Sequence, residues 1–225
     1  MDPFRQIDGY CERLSPAFWA EPVNAVTNLA FIAAAVWVFR EARRADAIDG
    51  ALLLLMGLTV LVGIGSFLFH TFATVWAALA DVIPITLFIF AYLAVAMRRF
   101  VGLPVWGALA AIPVFMVFSW AIGEGIGGLV HERFRGSVSY LPALFALLLV
   151  GAFLSAVRRH PAGRWLLGGA ALFAVSLAFR TLDLPLCGSF PLGTPFLWHV
   201  LTGALLGLLV MAVVRHGRSR RAAAA

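Results

Sequence analysis

Residues 63–85 read GIGSFLFHTFATVWAALADVIPI. Two apolar runs meet here at a short turn, and Ser66, His70 and Asp81 lie inside them, where a polar side chain is expensive to hold in a bilayer. A hydrocarbon core needs about 20 mostly apolar residues per helix. The two runs extend outward to 51–70 and 76–97, and so few residues join them that they form an antiparallel helical hairpin.

The rest of the chain has the same character. Of its 225 residues 62% are hydrophobic and 12% charged, and the mean hydropathy is +0.95, far from a soluble domain. Further apolar stretches fall at 23–40, 103–122, 139–157, 164–180 and 195–214. The expected fold is all-α, a seven-transmembrane helix bundle forming one domain over 1–225. It has an outer N-terminal segment, 1–22, and a cytoplasmic basic tail, 215–225. The opening MDPFRQIDGYCER lacks an apolar core and a small-residue cleavage site, so the first span is expected to direct insertion.

Net charge is +6 and no lysine is present, so every basic residue besides histidine is arginine. Twelve arginines follow spans one, three, five and seven: Arg40, Arg43, Arg44, Arg98, Arg99, Arg158, Arg159, Arg164, Arg215, Arg218, Arg220 and Arg221. Five fall on the other face: Arg5, Arg13, Arg133, Arg135 and Arg180. The positive-inside rule then places the N-terminus outside and the C-terminus in the cytoplasm. These short clusters between apolar spans form no aromatic-interleaved basic surface, which argues against nucleic-acid binding.

With that topology His70, Asp81 and His199 converge near the outer face. Ser66 and His70 are four residues apart and share a helix face. Two histidines and a carboxylate at one depth suit a metal or proton site. The plainer alternatives are a serine hydroxyl returned to the backbone carbonyl one turn earlier and an interfacial histidine. Asp81, between WAALA and VIPI, is a functional candidate by default. A proton path is disfavoured, because no comparable polar set continues toward the cytoplasm.

The outer segment carries Asp2, Asp8, Glu12 and Glu21 against Arg5 and Arg13. Clustered carboxylates are hard-cation ligands, the alternative being a solvated acidic cap on the first helix. Cys11 and Cys187 share the outer side, where an oxidising compartment favours a disulfide over two free thiols.

YCE, FWAEPVNAVTNLAF, GIGSFLFH, the aspartate eleven residues after that histidine and LWHVLTG resemble, in order and spacing, the bacterial branch of the alkaline ceramidase family. That family shares a seven-helix superfamily with the adiponectin and progestin receptors. The resemblance implies a zinc-dependent membrane hydrolase that cleaves the linear amide of ceramide, or a related lipid amide, to a sphingoid base and a fatty acid. His70 and His199 match zinc histidines, Asp81 the catalytic aspartate and Ser66 the serine one turn before the first histidine. The partners implied are the bilayer and a ceramide-like membrane lipid. A calcium site is implied too: Glu12 and Glu21 correspond to its ligands, and Asp8 stands one position away from the expected acid.

One position departs from the pattern. Pro195 stands where the family has the first histidine of an H-x-x-x-H pair, and proline cannot bind zinc. It suits the first turn of a helix with Thr194 as N-cap. A replacement ligand is sought in Asp81, Asp183 or water, and a catalytically impaired, lipid-binding or receptor-like member of the same fold is the alternative function.

Overall fold

The computed structural model of the protein describes residues 2–127 and 135–217. Arg133 and the tail arginines Arg218, Arg220 and Arg221 lie outside the described residues. The described chain is helical, and its only strand-like pairing is an isolated bridge between Gln6 and Thr74.

The helices are α1 (Pro22–Thr27), α2 (Leu29–Arg44), α3 (Gly50–Phe72), α4 (Val75–Ala96), α5 (Val105–Gly127), α6 (Arg135–Val138), α7 (Leu141–Ala156), α8 (Ala162–Leu186) and α9 (Pro195–His216). A π-helical turn, Met97–Val101, follows α4. Seven stretches are long and apolar enough to cross a membrane, with α1–α2 and α6–α7 each forming one of them. At 1.5 Å per residue the 23-residue α3 is about 35 Å long, enough for a hydrocarbon core of about 30 Å.

The hairpin of 63–85 is α3 and α4. Ala73 ends α3 in the left-handed conformation (φ 46°), and Val75 already opens α4. A side chain at Gly65 would overlap the Ala80 carbonyl, so glycine there lets the two helices close tightly just where Ser66 and Asp81 face each other. Helix α9 uses the same device against α2. A Cβ at Gly203 would stand 3.0 Å from the Ala30 backbone, and one at Gly207 would stand 3.2 Å from Ala34 Cβ. Small residues let backbones approach where lipid offers no hydrophobic driving force between helices.

The sixth span differs most from its expected bounds. Its apolar run stops at Arg180, but the helix continues to Leu186 and carries Arg180 and Asp183 inside it. Hydropathy ends where polar residues begin, whereas these two face the interior of the bundle. Arg180 is therefore not an arginine of an outer loop.

At one end of the bundle Arg40, Arg43, Arg44, Arg98, Arg99, Arg158, Arg159, Arg164 and Arg215 gather. Asp49 binds Arg99 at 2.7 Å there, and its other oxygen caps α3 through Leu52 N–H at 3.0 Å. The N-terminal segment closes the opposite end. It is tied to the α3–α4 turn by Ile7 N–H to Ala73 O at 2.7 Å and Val75 N–H to Arg5 O at 3.2 Å.

Candidate functional site

Under the N-terminal segment lies a cavity of about 380 Å³. Ser66, His70, Asp81 and His199 line its polar end, and Leu206 and Leu209 line its apolar depth. From Asp81 the α4 lining continues to Ala96, about 22 Å at 1.5 Å per residue, the scale of a long acyl chain.

His70 and His199 are both buried, with ring centroids 4.6 Å apart. The Nδ1 of His70 lies 2.6 Å from Glu21 Oε2. A carboxylate only accepts, so Nδ1 carries the proton and Nε2 keeps its lone pair. The Nδ1 of His199 lies 3.1 Å from Thr27 Oγ1, whose single proton is used on the carbonyls of Val23 and Asn24. That hydroxyl therefore accepts, and His199 is fixed in the same tautomer. Metal-ligating histidines are held in this way by their second nitrogen.

Opposite them, the Ser66 hydroxyl and the Asp81 carboxylate face each other across the α3–α4 contact. The close approach at Gly65 brings the two side chains near each other. His70, Asp81, Ser66 and His199 come from three helices, α3, α4 and α9, to one pocket.

A catalytic zinc takes three protein ligands. Two imidazoles are present, and Pro195 occupies the first turn of α9 at the third position. Asp183 does not replace it: one carboxylate oxygen accepts from Cys11 N–H and the other from Thr194 N–H, each at 3.1 Å. Among the described residues no three histidine, cysteine, aspartate or glutamate side chains gather as a metal shell. The residues present do not complete a zinc site. Thr194 is the N-cap residue by position, but its hydroxyl donates to the Phe179 carbonyl and accepts no N–H of α9.

Calcium fits no better, because the three acids do not converge. Glu12 accepts from the N–H groups of Val23 at 2.8 Å and Asn24 at 2.9 Å, engaging both its oxygens at the start of α1. Asp8 is exposed. Glu21 is buried and bound to Arg13 Nε at 2.5 Å as well as to His70. Burial pushes the Glu21 carboxyl up, but His70, Arg13 and Asn24 outweigh it and hold it below its usual value. The same guanidinium donates to the carbonyls of His70 at 3.0 Å and Ser15 at 3.1 Å. An internal cation thus fills the oxygen cage.

Cys11 and Cys187 are joined by a disulfide with Cα atoms 5.3 Å apart. Together with Asp183 it binds the N-terminal segment to the end of α8.

The Ceramidase family profile matches residues 9–224. The chain belongs to the ceramidase family. No curated protein matches it. In this ceramidase-family protein several residues of the site were counted only as charges or apolar filler in the sequence. Arg13 is one, and Arg180, Tyr140 and Trp198 are others. The spacing of Ser176, Arg180 and Asp183, four and three residues apart, marks one polar helix face and is the signal that points to Arg180.

Proposed function

We propose that this ceramidase-family membrane protein acts on the amide bond of a ceramide-like lipid held in the cavity. One observation carries the reading: Ser66, Asp81 and two histidines of fixed tautomer meet at the polar end of a chamber that continues as an acyl-sized apolar channel. The amide would lie at the polar end and the chain in the apolar depth. Ser66 would donate to the amide oxygen as charge develops on it. Asp81 would take the proton of the attacking water and return it to the leaving amine.

A second reading is favoured by Pro195. With two ligands where a catalytic zinc takes three, the protein would bind the lipid and turn it over slowly or not at all. Mass-spectrometric release of a sphingoid base from ceramide by the purified protein tests the first reading. Stoichiometric ceramide binding without release supports the second.

The arginine-rich end is assigned to the cytoplasm and the site to the outer leaflet. The Cys11–Cys187 disulfide at the site end supports this orientation, because such bonds persist in oxidising compartments.

A further inference from the structure

Arg180 is the cation that the proposed chemistry leaves unused. It lines the same cavity as Asp81 and His199. Its guanidinium lies over two aromatic faces, 5.2 Å from the Tyr140 ring centroid and 5.8 Å from that of Trp198. Nη1 donates to Ser137 Oγ at 3.2 Å. Gly136 makes room for it, since a Cβ there would stand 3.0 Å from Nη1. Among the described residues no carboxylate forms an ion pair with it. Asp81 faces it across the cavity without an ion-pair contact.

A charge inside a membrane bundle is costly and marks a substrate path or a ligand. Cation–π contact with two rings recovers part of that cost. The hydrogen bond to Ser137 and the neighbouring Tyr10 hydroxyl leave N–H donors of the fork free, in a geometry that matches a carboxylate bidentately. A neutral ceramide head has no group that calls for a fixed positive charge. A doubly charged phosphate would be repelled by Asp81 across the same pocket more strongly than a singly charged carboxylate.

We propose that Arg180 recognises the carboxylate of a long-chain acyl lipid whose tail fills the apolar depth of the cavity. This rests on the cavity being a lipid site, as in the proposed function, and not on turnover. The carboxylate has two sources: the fatty acid left by amide hydrolysis, and an N-acyl amino acid that carries its carboxylate beside the amide.

Equilibrium binding of labelled palmitate, methyl palmitate, N-palmitoylglycine and ceramide to the purified full chain in nanodiscs tests it. A charge-assisted hydrogen-bonded contact is worth about 1.5–3 kcal/mol, so a carboxylate should bind on the order of tenfold or more tighter than the methyl ester. Arg180→Gln should bring that ratio close to one with ester binding unchanged, and Arg180→Lys should leave an intermediate ratio. Palmitate above N-palmitoylglycine assigns the site to the hydrolysis product; the reverse order assigns it to an amino-acid amide. A wild-type ratio near one overturns the proposal without any variant, and so does a ratio that Arg180→Gln leaves intact. Failure of ceramide to bind counts against the lipid-amide reading and leaves the carboxylate comparison standing.

Discussion

The Arg13 guanidinium binds one oxygen of the Glu21 carboxylate at 2.5 Å, and the other oxygen holds His70 Nδ1 at 2.6 Å. One buried carboxylate therefore joins the N-terminal segment to a histidine of the site. The cation that neutralises it belongs to the chain itself.

Arg13→Ala leaves that carboxylate without its fixed cation. Breaking a buried pair by removing one partner costs about 3–5 kcal/mol, so the melting temperature in detergent should fall. Arg13→Lys should recover only part of the loss, since an ammonium cannot reproduce the fork to Glu21 and the His70 carbonyl. The melting temperature of the unmodified protein should be the same in EDTA and in excess calcium. A rise with calcium would show that a metal, and not Arg13, occupies the cage.

Asp81→Asn keeps the shape and can still meet Ser66 but cannot take a proton. Ceramide hydrolysis should drop by about 10²–10⁴-fold, the usual contribution of a positioned base. Thermal stability should be unchanged. Retained release of sphingoid base in this variant would remove Asp81 from the proton transfers.

Pro195→His places an imidazole one turn before His199 on the same helix face. Its added N–H lies in the first turn of α9, where donors lack intrahelical partners, so the fold should tolerate it. Metal analysis should find more zinc in the variant than in the unmodified protein, and ceramide hydrolysis should rise with it. Full occupancy in the unmodified protein would mean that an unrecognised ligand completes the shell.

Cys187→Ser removes the covalent link between the N-terminal segment and α8. A lost disulfide costs about 2–5 kcal/mol in a small domain, and membrane spans that persist in the unfolded state put this one toward the lower end. The melting temperature should fall, and Cys11 should become reactive to a thiol reagent in the denatured, unreduced variant. Labelling of both cysteines in the denatured, unreduced unmodified protein would contradict the pairing.

The orientation is tested with a cysteine introduced after Arg215. A membrane-impermeant thiol reagent applied to intact cells should not reach it. Labelling from outside would reverse the topology.

The stretch 63–85 carried its own structure in the sequence. Apolar length decides whether a segment can span a bilayer, because every backbone polar group there must be satisfied within its own helix. Seven such helices were therefore countable from composition alone, and so was the four-residue spacing of Ser66 and His70. Only the end of the sixth span escaped, since hydropathy reads Arg180 and Asp183 as a boundary, and only their neighbours make them interior. Asp183 is held by amides of residues 11 and 194, contacts no local pattern contains. The fate of the acidic segment was equally non-local. Glu12, Glu21 and Asp8 read as potential cation ligands by type, but carboxylates bind whichever donors the fold brings closest, and here those are backbone amides, Arg13 and His70. Residue type thus fixed what each side chain was able to bind, and packing of α1, α3, α4, α8 and α9 decided what it met.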